Sequence, residues 1–302
     1  MLKCQNESKG EEFMVVFFTD TDCDITPSLA KELGFQLISM PYSIEDKEVY
    51  PYEDFDKFEY KEYYDLLRSG VIPKTSAIPP TKYMEYFEPH FAAGNDIVYL
   101  HFSKNMSGTF NSMNIALEDL YEKYPDRKLI AIDTKGISAL GYLIIKEVHK
   151  LIKENKPVEE IKAWVEENAD KYAIYFYADD LKFFGRSGRI NNFSAVMGNI
   201  LGLHPIIHIN SDGYMLSIAK SKGKNQTLNK IIQMIDNIQE DIDKHPIVIG
   251  HTDILDIAEK LGNMLKEKYG AHLDIEYIIV NPTAGAHCGP NCVGVAFHSK
   301  GR

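Results

Sequence analysis

Apolar residues follow two rhythms along this chain. Short continuous runs stand at Met14–Phe18 (MVVFF), Gln36–Ile44, Ile97–Phe102 (IVYLHF) and Leu129–Ile132, and each has the length of a buried strand. Between them lie amphipathic stretches that predict helices over Phe55–Arg68, Thr81–Phe91, Gly108–Lys123 and Ser138–Glu154. A further helix is expected after the first strand, with Thr26 as N-cap and Pro27 at the first helical position, where a missing N–H costs nothing. Strands alternating with helices predict a mostly parallel sheet with covered faces.

The second half changes rhythm. A helix near Val158–Lys171 leads into YAIYFYA (Tyr172–Ala178) and the turn-rich GRSGRINN. HPIIHIN and YMLSIAK then flank Ser211-Asp212-Gly213, and Asp-Gly between two apolar runs predicts a hairpin. Helices over about Asn225–Lys244 and Ile254–Tyr269 alternate with the strands PIVIGH and LDIEYIIV, and VGVAF forms a last strand. The expected architecture is α/β, with an N-terminal, mostly parallel α/β domain over residues 13–160 and a C-terminal α+β domain over residues 161–302.

Composition narrows the class. The 302 residues suffice for two ordinary domains, and a net charge of −11 argues against nucleic acid and against anionic membrane surfaces. No apolar run reaches the roughly 20 residues that cross a bilayer, so no integral membrane segment is expected. The polar start MLKCQNESKGEEF lacks an apolar signal region, and a cytoplasmic location is the expectation. Four cysteines (Cys4, Cys23, Cys288 and Cys292) in a chain this long do not form a disulfide scaffold.

Five stretches could carry chemistry. Ser107-Gly108-Thr109 sits between the strand IVYLHF and a helix whose buried face is Phe110, Met113, Leu117 and Leu120. Free N–H groups, two hydroxyls and the positive end of a helix dipole meet there, which suits a carboxylate or phosphate. Ser107 acting only as a helix cap is the alternative. In KTSAIPPTKY, Thr75 and Ser76 precede a proline-rich loop, with Thr81 as the expected cap of the next helix; plain turn chemistry is the competing reading. Arg186 and Arg189, set among glycines, could hold an oxyanion or tether a loop. Asp20, Asp22 and Asp24 alternate in TDTDCD, but the glycine and terminal glutamate of an EF-hand loop are missing, so capping and turn formation are expected there, not metal. HCGPNC (His287–Cys292) spaces its cysteines C-x₃-C, with no second Cys or His pair nearby in sequence, which disfavours zinc. A strand follows it instead of a helix, which disfavours a redox pair. Gly285, Gly289 and Pro290 read as a tight loop between strands with His287 at its tip. There a structural imidazole and a carboxylate-binding one, with a charge that responds to pH near neutrality, both stand.

In this order, FTDTDCDI, TSAIPP, SGTF, GRSGRI and HCGPN resemble the motifs of the DegV family of fatty-acid-binding proteins. The resemblance runs over nearly the whole chain. It departs from the family pattern at Thr21, Ser187 and Asn291, where the family has Ser, Gly and Gly. The resemblance implies two domains with one long-chain fatty acid, such as palmitate, stearate or oleate, in a tunnel between them. It assigns the carboxylate to Thr75, Ser107 and His287, with Arg189, Ser76, Gly108 and Thr109 in support, and it implies neither a metal nor a cofactor. It further implies a bacterial carrier that presents its ligand to a separate fatty acid kinase, which makes an acyl phosphate for phospholipid synthesis. No P-loop is present in the chain, so catalysis of its own is not expected. A serine-dependent acyl hydrolase using Ser107 and His287 is the alternative, although no G-x-S-x-G elbow stands in the sequence.

Overall fold

The fold, taken from a computed structural model, is described for residues 2–5, 12–191 and 202–302. β2 (Glu12–Asp20) runs at the centre of the first sheet because residues 15–20 are buried on both faces. β1 (Leu2–Gln5) pairs antiparallel with its start, and β3 (Phe35–Ile38) pairs parallel with its end. Three short strands, β4 (Tyr42–Ile44), β5 (Lys47–Val49) and β6 (Lys74–Thr75), form a separate small antiparallel sheet. β7 (Asp96–His101) and β8 (Leu129–Asp133) complete the first sheet in parallel, giving a mostly parallel α/β layer.

Seven strands make the second sheet: β9 (Tyr172–Tyr177), β10 (Ile190–Asn191), β11 (Leu203–Ile209), β12 (Met215–Lys222), β13 (Ile247–His251), β14 (Ile275–Ile279) and β15 (Val293–His298). Their order is β10-β12-β11-β9-β15-β13-β14, with the expected β11–β12 hairpin antiparallel. The sheet is mixed: β10–β12 and β13–β14 are parallel, the other pairs antiparallel.

Among the described residues the α-helices are α1 (Pro27–Leu33), α2 (Tyr60–Arg68), α3 (Pro80–Ala92), α4 (Thr109–Lys123), α5 (Ala139–Lys153), α6 (Val158–Asn168), α7 (Leu181–Ser187), α8 (Lys224–Ile238), α9 (Leu255–Tyr269) and α10 (Pro282–Cys288). α8 and α9 pack on the second sheet around a core that includes Ile206, Ile231, Leu261 and Val295. α5 lies against β9, β13 and β15 and also against the turn that follows β2. Its buried side chains belong to a core that runs from Phe17 and Val98 in the first sheet to Ile174 and Phe176 in the second. Gly141 allows that close approach, because a Cβ there would stand 2.7 Å from Cys23 Sγ. The division expected at 160/161 falls inside α6.

Several elements differ from the sequence expectation. Gln36–Ile44 is two strands in two sheets, because Pro41 supplies no N–H to continue a ladder. Thr81 does not cap α3: Pro79 is the N-cap and Pro80 the first helical residue. α8 ends at Ile238, where the carbonyl accepts from Lys300 N–H instead of continuing the helix. Thr26 caps α1 as expected, accepting from Leu29 N–H at 3.3 Å.

Candidate functional site

Loops from both layers meet at a polar cavity whose lining includes Asp22, Thr75, Ser76, Ser107, Arg189 and His287. Thr75 is presented by β6, opposite Tyr42 of β4. Ser107 follows β7 through a 3-10 turn (Lys104–Met106) and stands one residue before Gly108, the N-cap of α4; its Oγ accepts from Thr109 N–H at 3.2 Å. The turn is pinned to the other sheet: Ser103 Oγ donates to Gly213 O at 2.9 Å and Asn105 Nδ2 to Asp212 O at 2.7 Å. Thr109 points away from the cavity. Its hydroxyl accepts from Ile78 N–H at 3.1 Å and pairs with Tyr83 OH at 2.9 Å, which ties the segment after Thr75 to α4. Ser76 Oγ donates to Glu48 Oε1 at 2.5 Å.

His287 does not sit at a loop tip. Asn281 caps a short helix by accepting from Ala284 N–H at 2.9 Å, Pro282 opens it, and His287 falls in its last turn. Gly285, which reads as punctuation, is helical, and it is a glycine because Tyr64 OH fills the place of a Cβ, 2.5 Å from where one would stand. His287 Nε2 lies 3.1 Å from Thr75 Oγ1, 212 residues away in the chain. Burial, and then the Arg189 guanidinium, push the imidazole down to about 4, so it is neutral near pH 7 and is not the near-neutral titrating group expected from the sequence. With Nε2 engaged by Thr75 and Ser107 Oγ by Thr109 N–H, the nucleophile–base contact of a hydrolase is not made.

Arg189 follows α7, a helix where turns are expected. Asp180 caps α7 by accepting from Lys182 N–H, and Gly188 closes it at φ 65. Ser187 shapes the path of the arginine. Its Oγ accepts from Arg189 N–H at 3.3 Å, its carbonyl accepts from the guanidinium, and Arg189 Nε reaches Met106 O at 3.4 Å. Arg186 is exposed and outside the cavity lining. Asn291 adopts φ 62, a left-handed conformation that Asn tolerates, and its Oδ1 accepts from Arg68 at 3.1 Å.

A second cavity adjoins the first: Ile137, Met215 and His287 line both. Its walls are otherwise mostly apolar, among them Ile174, Phe176, Phe184 and Val280. Cys288 and Cys292 are free, buried thiols in this wall.

The acidic segment is more than turn chemistry. Asp24 Oδ1 accepts from both Asn281 N–H and Asn281 Nδ2 at 2.7 Å, and Oδ2 accepts from Ser138 Oγ. It therefore anchors the cap of the helix that carries His287. Asp20 Oδ2 accepts from Tyr99 OH at 2.9 Å and Phe102 N–H at 3.1 Å. Burial raises the Asp20 carboxyl to about 7 and the Asp24 carboxyl to about 6. Among the described residues, no three His, Cys, Asp or Glu side chains are placed to hold a metal ion. No described helix is long and apolar enough to cross a membrane.

Two sheet layers that meet at a polar cavity make a DegV-type fold. The chain belongs to the DegV family: the model of that family, whose members are described as uncharacterised, matches residues 14–300. It is similar to a DegV domain-containing protein of Clostridium perfringens, with 33% identity over 93% of this chain and 96% of the relative. Its fold is similar to a stearic-acid-binding protein from Eubacterium ventriosum (TM-score 0.84, 19% identity, 95% of this chain and 99% of the other). It is also similar to a DegV family protein from Eubacterium eligens loaded with heptadecanoic acid (TM-score 0.80, 20% identity, 95% of this chain and 100% of the other).

Proposed function

We propose that this chain binds one long-chain fatty acid, such as palmitate, stearate or oleate, with its carboxylate in the polar cavity and its acyl chain in the apolar one. The observation that supports this reading is that a polar and an apolar cavity lie side by side, with Ile137, Met215 and His287 in the lining of both. Each methylene buried there contributes about 0.8 kcal/mol. Thr75, Ser107 and His287 hold the carboxylate as hydrogen-bond donors, and the Arg189 guanidinium supplies the positive charge that a neutral His287 does not. Ser76, Gly108 and Thr109 support the two loops.

The protein acts as a carrier without catalysis of its own. It presents the carboxylate to a fatty acid kinase, which forms the acyl phosphate used in phospholipid synthesis. Solvent extraction of purified protein, followed by mass spectrometry, should release about one fatty acid per chain. Protein that is empty and takes up no added oleate would refute binding. Incubation of the loaded protein with ATP and a fatty acid kinase should yield acyl phosphate; no product from loaded protein would refute the presentation step alone.

A further inference from the structure

The carboxylate reading leaves Asp22 of its cavity without a role. Asp22, in the 3-10 turn after β2, lines the same cavity as Thr75, Ser107, Arg189 and His287. It is 6% exposed, and its Oδ1 has no hydrogen-bond partner among the described residues. Its backbone carbonyl is fixed by Ser138 N–H at 2.6 Å, so the side chain is held in place at the cavity wall. An ionised Asp22 would share this pocket with the ligand's carboxylate, and two like charges brought together in one buried site are not both favoured.

The surroundings decide which of the two keeps a proton. On its own segment Asp22 is flanked by Asp20, Cys23 and Asp24, and burial together with the two aspartates pushes its carboxyl well above the ordinary range. Tyr83 of α3 faces the segment, and Tyr142 of α5 lies near Asp24. Arg189 acts in the opposite sense from the far side of the cavity, beside a His287 that is neutral above about pH 4.

We propose that Asp22 is the proton-holding partner of the bound head group. It enters the complex as a neutral carboxylic acid and donates its O–H to one oxygen of the ligand carboxylate, so that one proton serves two carboxyls. A carboxylic acid kept neutral by its site is a known kind of donor. The assignment rests on the fatty-acid reading and adds to it a coupling of binding to pH. Above the pH at which free Asp22 ionises, each ligand bound brings in one proton.

The test is oleate affinity, measured by displacement of a fluorescent fatty acid from about pH 5 to about pH 9, for the native protein, Asp22→Asn and Asp22→Ala. Native affinity should be level at the acid end and then fall by up to about tenfold per pH unit. Asp22→Asn, with a permanent N–H donor, should bind within about tenfold of the native protein at the acid end and lose the fall. Asp22→Ala should be about tenfold or more weaker at the acid end, and level. Asp20 and Asp24 remain in all three proteins, so any slope of theirs persists in the variants. Calorimetry of the native protein in buffers of different ionisation enthalpy reads the same proton without a substitution. A native affinity that stays level throughout, with no proton taken up, overturns the proposal. So does an Asn variant that keeps the native slope, or an Ala variant that binds as the native protein does. Absence of oleate binding by the native protein at every pH would instead remove the fatty-acid reading beneath it.

Discussion

Asp24 makes a sharp test of the electrostatics that hold the site. Its carboxylate accepts three hydrogen bonds, two from Asn281 and one from Ser138, at a buried position. Asp24→Asn preserves the shape. The amide oxygen accepts from both Asn281 donors, and the amide nitrogen donates to Ser138 Oγ, so the bonds survive and the buried charge does not. The sign follows from proton linkage. The folded carboxyl titrates at about 6 against an ordinary 3.8, so the folded state holds its proton longer than the unfolded chain does. That contribution to stability is fully present below pH 3.8 and is lost as pH rises to about 6. At about 1.4 kcal/mol per pH unit the loss amounts to about 3 kcal/mol. The variant should therefore match the native protein near about pH 4 and exceed it by up to about 3 kcal/mol near about pH 8, as read from urea midpoints at constant m-value. An Asn variant that is less stable than the native protein at the alkaline end would show that the three bonds favour the anion by more than burial disfavours it, and the argument would fail.

Three further outcomes follow from contacts described above. Thr75→Val, which keeps the shape but leaves His287 Nε2 without its 3.1 Å partner, should weaken oleate binding about tenfold, whereas Thr75→Ser should restore most of it; displacement titration reads both. Gly141→Ala drives a methyl toward Cys23 Sγ and should cost about 1–3 kcal/mol, with part recovered in the Gly141→Ala/Cys23→Ala double variant, as a denaturation cycle will measure. Asn291→Ala places an unsuitable residue at φ 62 and removes the acceptor of Arg68, for about 1–2 kcal/mol by thermal or urea unfolding, while Asn291→Gly should stay within about 1 kcal/mol.

Local pattern made most elements legible. Continuous apolar runs mark β2, β7 and β9, the Asp-Gly turn marks the β11–β12 hairpin, and Thr26-Pro27 marks the start of α1. α10 went unread because Gly285, Gly289 and Pro290 outweighed the cap-and-proline signal of Asn281-Pro282, which was there to be used. The helical Gly285 makes sense only beside Tyr64, a residue more than two hundred positions earlier. α7 carried a weaker signal, a single Asp180 cap before a glycine-broken run. The depressed titration of His287 and the grip of Asp24 on Asn281 depend on burial and on partners far off in the chain, and no spacing rule encodes either. The acidic run reads as turn chemistry because it lacks the glycine and terminal glutamate of a calcium loop, yet the fold puts all three carboxylates inside.

The placement of α5 bears on how any occupant gets in or out. The helix is a party wall: Leu140, Leu143, Ile144, Ile145 and Val148 are closed in between structures that belong to different sheets. Swinging the sheets apart like a clamshell would strip one side of that wall. At about 1.5–3 kcal/mol per large apolar side chain, the cost is on the order of 10 kcal/mol. That rivals the whole folding stability of an ordinary domain, about 5–15 kcal/mol. On the proposed function, an occupant therefore enters and leaves without parting the two sheets, and the wall between the rooms stands still.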